Sequence, residues 1–324
     1  MFNKKILKGA LLYSYAMLLT LPLACSKASA EGVALEGMAK QSYMARYLYK
    51  EYVKTPERPA FSAPKGWTYD VYTIEGVPME RLATKKKRNA NVVLQLHGGA
   101  YLWGLTDWYR QFAVKQAELA EASEVYLVDY RLAPDYKYPA ALEDAVVAYQ
   151  HILDMGVSAK NIIVMGDSAG ANLALALALY LREHKMPLPQ SLILMSPWTT
   201  MKENLPSRYA NYKHDLILGE LGADAQKLQS RLTYGEGAEA NPYVSPLYAD
   251  LTSLPPMLIQ TGSYDMLLDD ARLFAEAAKK YKVPCQYTVY PEVPNVFQVM
   301  LPTLKESEDA YKEIAEFVKA FSSR

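Results

Sequence analysis

Two glycine-rich segments carry residue types suited to acyl-transfer chemistry. Gly166-Asp167-Ser168-Ala169-Gly170 fits the pattern G-x-S-x-G, follows an apolar run and opens a helix-forming run. In that context the turn is sharp and lifts the Ser168 hydroxyl out of the sheet. It also aims the Ala169 N–H, with the positive end of the helix dipole, at a substrate oxygen. His97-Gly98-Gly99-Ala100-Tyr101 follows another apolar run. Its glycines let backbone N–H groups approach a developing oxyanion, where each preorganised donor is worth roughly 3 kcal/mol. Either motif alone also occurs in ordinary turns. Their context and order point to a serine nucleophile with an oxyanion loop, Gly98, Gly99, Ala100 and Ala169 being the candidate donors. Such a serine needs a base to take its proton and an acid to orient that base.

The elements that must position these groups alternate along the chain. Short apolar or alternating runs predict strands at Tyr69–Ile74, Met79–Ala83, Asn91–Leu96, Glu124–Asp129, Asn161–Met165, Ser191–Met195, Pro256–Gln260 and Gln286–Tyr290. Gly76-Val77-Pro78 is expected as the turn between the first two. Helical patterns fall at Glu31 to about Arg58, Asp107–Glu121, Pro139–Leu153, Ser168–His184, Asp269–Tyr281 and Leu304–Phe321. Ala and Leu alternate over 171–181, which fits a strand by period. The length and the strong helix formers favour a buried helix instead. Strands alternating with helices imply an α/β fold with a mostly parallel, doubly wound sheet. Residues from about Met201 to Pro242 break the rhythm and are polar and Tyr-rich. They read as an insertion over the sheet edge where open α/β folds bind ligands, with the N-terminal helix joining it as a cap (31–60 and 201–242).

The chain has 324 residues, 51% hydrophobic and 22% charged, enough for one large domain. Residues 1–30 have the pattern of a secretory signal. Lys4, Lys5 and Lys8 precede an apolar run to Ala24, and Ala28-Ser29-Ala30 offers a cleavage site before Glu31. The run is short for a membrane span, so export with cleavage is expected, with no stable span in the mature chain, 31–324. Leu23-Ala24-Cys25 partly matches a lipidation site, so anchoring through Cys25 is the lesser alternative. Cleavage removes four lysines and no acids, turning 35 bases and 35 acids into 31 and 35, a formal charge of −4. Nothing in that balance favours nucleic acid or anionic lipid as a partner. The run Lys85-Lys86-Lys87-Arg88 is expected as a solvated turn. Cys285 alone remains after cleavage, which excludes an internal disulfide and a cysteine metal cluster.

The motifs together resemble the hormone-sensitive-lipase-like α/β-hydrolases, which include bacterial carboxylesterases and lactone hydrolases. The likeness runs from about Gly66 to the C-terminus. It rests on His97–Tyr101, Asp129-Tyr130-Arg131-Leu132-Ala133-Pro134, Tyr138-Pro139-Ala140-Ala141, Gly166–Gly170, Ser196-Pro197-Trp198, Ser245-Pro246-Leu247 and Pro255-Pro256. The resemblance implies an α/β-hydrolase fold with an eight-stranded sheet and a helical cap, no metal or other cofactor, and a small ester or lactone as partner. It also implies an oxyanion hole from the N–H groups of Gly99, Ala100 and Ala169, with Ala100 where many members have a third glycine. The triad acid falls on Asp265 of Gly262-Ser263-Tyr264-Asp265. Asp269 and Asp270 start the next helix and suit its dipole.

The family's histidine position falls, without a gap, on Asn295 of Tyr290-Pro291-Glu292-Val293-Pro294-Asn295-Val296-Phe297. A carboxamide can donate to Asp265 and accept from Ser168, but it cannot take a proton near pH 7. Of the four histidines, His97 belongs to the oxyanion loop, His151 to a remote helix, and His184 lies about 24 Å along a helix from Ser168. His214 sits in the insertion, where it could overhang the site, although a surface histidine is the simpler expectation. Two functions follow. One is a serine ester hydrolase impaired at Asn295. The other is a ligand-binding protein that retains the pocket, in the manner of the similar plant gibberellin receptors.

Overall fold

The computed structural model describes residues 32–54, 60–86, 89–202, 204–219, 233–234 and 240–322. Residues 1–31, with the expected signal and Cys25, residues 55–59, Lys87 and Arg88, and most of 220–239 lie outside them. Eight strands form one sheet: β1 (Trp67–Ile74), β2 (Val77–Thr84), β3 (Val92–Leu96), β4 (Glu124–Val128), β5 (Ile162–Asp167), β6 (Ser191–Met195), β7 (Met257–Gly262) and β8 (Cys285–Tyr290). Their spatial order is β1-β2-β4-β3-β5-β6-β7-β8. Only β2 runs antiparallel to its neighbours β1 and β4; the pairs from β4 through β8 are parallel.

The helices are α1 (Gly37–Leu48), α2 (Asp107–Leu119), α3 (Ala140–Asp154), α4 (Ala169–Glu183), α5 (Pro206–Ala210), α6 (Leu268–Lys280), α7 (Phe297–Met300) and α8 (Lys305–Ser322). Strand residues alternate between two cores, as a sheet covered on both faces requires. Val92, Leu94 and Leu96 join Ala145, Leu173, Leu177 and Phe274 on one face. Val93, Val125 and Ile163 join Ala113, Ala117, Ile314 and Phe317 on the other. The Ala/Leu run lies wholly inside α4, which is buried on nearly every side. None of the helices described is long and apolar enough to cross a membrane.

Three local expectations change. The first hairpin turns at Glu75-Gly76, both at positive φ (49° and 87°), and Val77 and Pro78 already pair with Ile74 and Thr73. A two-residue turn with both φ values positive matches the twist of its strands, so the turn sits one residue earlier than the proline suggested. The N-terminal helix is shorter than its pattern: α1 stops at Leu48 and passes into a wider, π-type turn over Tyr49–Lys54. The segment after β8 contains a helical turn, α7, that no periodicity announced. Lys85 and Lys86 are exposed, as a solvated turn requires.

The first helix packs against the turn after β8. Met44, Ala45 and Leu48 share a cluster with Leu216, Val293, Phe297 and Leu301. Buried Lys40 donates to Glu306 at 2.6 Å and to the Pro291 carbonyl at 3.2 Å, and the Gly37 N–H donates to Glu292 at 2.8 Å. A buried ammonium is tolerated only when paired in this way.

Candidate active site

Parallel strands deliver the loops after β3, β5, β7 and β8 to the same end of the sheet, where open α/β folds bind ligands. These loops carry His97–Tyr101, Ser168, Asp265 and Asn295. The Ser168 backbone has φ 51° and ψ −115°, a conformation costing about 1–3 kcal/mol that persists only when its surroundings enforce it. The surroundings do so. Its N–H donates to the Met195 carbonyl at 2.9 Å, and its carbonyl accepts from Asn172 and Trp198 at 3.1 and 3.2 Å. Gly170 has to be glycine, because a Cβ there would collide with the carbonyls of Leu96 and His97. The turn therefore packs directly against the oxyanion loop. Ser168 itself is only 7% exposed.

The oxyanion loop reverses at Gly99 (φ 113°), Ala100 (φ 53°) and Tyr101 (φ 59°). Among the described residues no protein acceptor takes the N–H groups of Gly99, Ala100 or Ala169. Gly98 is different, and its expected place among the donors is corrected. Its N–H points to Asp167 Oδ1 at 3.1 Å and to the Tyr109 hydroxyl at 3.0 Å. Tyr109 donates to the other oxygen of Asp167 at 2.8 Å. Gly98 thus anchors the loop instead of facing substrate. Asp167, the variable residue of G-x-S-x-G, is the anchor. Burial pushes its carboxyl up to about 7 against these two hydrogen bonds.

Asp265 is fully buried. It accepts from Thr261 Oγ1 at 2.9 Å, from the Leu267 N–H at 2.7 Å and from Asn295 Nδ2 at 3.1 Å. Burial raises its carboxyl above the usual range, opposed by hydrogen bonds from Ser196, Leu267, Asn295 and Thr261. Asn295 is also buried, at 1% exposure, with its amide nitrogen turned to the acid. The residue after it, Val296, is left-handed at φ 46° and ψ 36°, and its N–H is held by Ser196 Oγ at 2.9 Å. A β-branched residue in that region is an outlier, tolerated here because α7 starts directly after it.

No histidine is brought to this cluster. His97 lies under the oxyanion loop, stacked on Tyr130 at 4.2 Å, its Nδ1 at 2.7 Å from its own Gly98 carbonyl; burial lowers its imidazole to about 4. His151 contacts Tyr72 and Tyr126, and His184 stacks on Tyr180. His214 is exposed and stacks on Tyr264 at 4.7 Å.

A cleft behind the oxyanion loop is lined by Tyr101, Tyr138, Leu173, Ala176, Tyr234 and Tyr243. Asn172 holds its wall: Oδ1 accepts from Tyr101 and Tyr234 at 2.8 and 3.0 Å, and Nδ2 donates to the Trp198 and Val244 carbonyls. A larger hollow of about 610 Å³ lies between α6 and Cys285. None of the residues of the four loops lines it. Sequence reasoning missed Asp167, Ser196 and Asp215. The first two lay inside quoted motifs, whereas Asp215 had no local signal.

Comparison with known proteins agrees with this fold. Residues 93–299 match the model of a family described by its alpha/beta hydrolase fold. An esterase of Acinetobacter venetianus is 37% identical over 226 residues, covering 70% of this chain and 74% of its own. An acetyl-hydrolase of Streptomyces hygroscopicus is 34% identical over 233 residues, 72% and 77% of the two chains. The crystal structure of an esterase from the bacterial hormone-sensitive lipase family superposes with a TM-score of 0.76 at 29% identity, covering 99% of this chain and all of the other.

Proposed function

Because the chain belongs to the hormone-sensitive-lipase-like α/β hydrolases, and is by family a carboxylic-ester hydrolase, we propose that its pocket takes small to medium acyl esters or lactones. We propose further that hydrolysis there is throttled at Asn295. Ser168 attacks the carbonyl carbon, and the N–H groups of Gly99, Ala100 and Ala169 receive the developing oxyanion. The acetyl-hydrolase among the relatives supports short acyl groups as substrates. Asp265 is the acid that would orient an imidazole. The amide at 295 occupies that place and cannot carry the proton from Ser168 to the leaving group.

One observation carries the proposal: Asn295 Nδ2 donates to Asp265 Oδ1 at 3.1 Å, as a triad histidine donates to its orienting acid. The test is hydrolysis of p-nitrophenyl butyrate by the native chain and by Asn295→His. Near-background turnover in the first and a large gain in the second are expected. A native chain that turns over rapidly refutes the throttle. A second reading draws on the same unpaired N–H groups: with no base present, the pocket binds an ester or carboxylate and holds it unreacted. Tight binding of butyrate, with Asn295→His still inactive, selects that reading.

A further inference from the structure

The insertion contributes one group to the site that neither motif nor family comparison assigns. Asp215 is 2% exposed, and its two oxygens span the two turns that carry Asp265 and Asn295. Oδ2 accepts from the Met266 N–H at 2.9 Å, one residue past the acid. Oδ1 accepts from the Asn295 N–H at 3.4 Å and from the Ile217 and Leu218 N–H groups at 3.0 and 3.1 Å. The two carboxylates are interlaced. Met266 N–H goes to Asp215 and Leu267 N–H to Asp265; Asn295 gives its backbone N–H to Asp215 and its side-chain Nδ2 to Asp265.

We propose that Asp215 is a positioning residue, which fixes residue 295 relative to Asp265 and supplies the second carboxylate that sets the charge of the pair. The inference rests on the hydrolase reading of the site. The four N–H groups around Asp215 come from three separate segments, so its carboxylate replaces a covalent tie between them. It does so from the insertion, so whatever moves that segment moves the acid and residue 295 together. Two buried carboxylates side by side resist double ionisation unless a cation compensates. Burial first, and the charge of Asp265 second, hold the Asp215 carboxyl up at about 7. Among the described residues, the charged groups near the pair are themselves partnered. Asp270 is paired with Arg208 at 2.8 Å, Lys40 is paired with Glu306 and Glu292, and His214 is turned out onto Tyr264. An imidazolium at 295 would be the missing compensation, and Asp215 would then favour its protonated form.

The test uses Asp215→Asn in the Asn295→His background, with p-nitrophenyl butyrate as substrate. The expected result is a kcat reduced at least about 10-fold, as a shift of supporting groups by a fraction of an ångström produces, with KM within about twofold. The acidic limb of kcat/KM should move to lower pH by about half a unit or more, because a negative charge beside the imidazole has gone. A merely structural role lowers folded yield and leaves that limb in place, so an unmoved limb overturns the proposal. If Asn295→His is itself inactive, the hydrolase reading fails and the pair is judged in the native chain by thermal midpoint. Asp215→Asn should then flatten the fall in stability between pH 5 and pH 8, and an unchanged fall overturns the pairing. Should that variant not fold, Asp265→Asn is the reciprocal: it should flatten the fall by more than one carboxyl can, since it removes its own raised proton affinity and lowers that of Asp215, and a flattening no larger than one carboxyl's overturns the pairing.

Discussion

Replacing Asn295 by histidine is the most informative perturbation of this site. Asparagine and histidine share Cβ and Cγ, and in both a ring or amide nitrogen follows at the δ position. The 3.1 Å contact from Asn295 Nδ2 to Asp265 therefore marks where an imidazole Nδ1–H would donate. Catalysis then requires its Nε2 to reach the Ser168 hydroxyl. Losing a triad histidine lowers turnover on the order of 10⁶-fold, about 8 kcal/mol of transition-state stabilisation. Val296 constrains the restored ring, since its left-handed backbone fixes the direction in which residue 295 points. A misplacement of about 1 Å sacrifices ~10²-fold, so the gain should be ~10⁴-fold or more over the native chain. The assay is p-nitrophenyl butyrate hydrolysis followed at 25 °C, with Ser168→Ala in the same background as the control. A gain below tenfold in a folded protein refutes the assignment of position 295. A large gain that survives Ser168→Ala refutes the nucleophile.

Stability should fall as pH rises from about 4 to about 7. Burial holds Asp167 and Asp215 at about 7 and Asp270 at about 6, above the ordinary 3.8, so the folded chain keeps protons that the unfolded chain releases. Each such group favours unfolding by up to about 1.4 kcal/mol per pH unit within its window, the reverse of the salt-bridged carboxylate case. Denaturant midpoints at pH 5 and pH 8 measure this, and a higher midpoint at pH 8 contradicts it. Arg208→Ala strands the buried Asp270 carboxylate, which it meets at 2.8 Å, and should cost about 3–5 kcal/mol by urea unfolding. Gly170→Ala should cost about 3 kcal/mol or prevent folding, because the new methyl meets backbone and not a movable side chain. Expressed with its own leader in a Gram-negative host, the protein recovered from the periplasm should begin at Glu31; cytoplasmic chains that keep Met1 refute export.

The central strands were legible because they are nearly continuous apolar runs. A strand buried on both faces needs them, as Val92–Leu96 and Ser191–Met195 show. The nucleophile turn was legible because close backbone approach admits only glycine at Gly166 and Gly170. The turn at Glu75-Gly76 and the short α7 were not, since a two-residue turn or a single helical turn carries too few residues for periodicity to register.

The sequence by itself therefore determined the order of the strands and long helices and the elbow at Ser168, which are set by local residue type and spacing; the expectation for position 295 came from the family resemblance. Only the tertiary structure decided which polar groups face substrate and which are used internally. Gly98 carries the same N–H as Gly99, yet Asp167 takes it, because buried donors must be satisfied by whatever acceptor the fold brings near. Asp215 stands 50 residues before Asp265 in the chain and meets it through the insertion, a contact that no local pattern encodes. The charge of the site follows from that meeting, since burial and a neighbouring carboxylate set a proton affinity that residue identity alone does not fix.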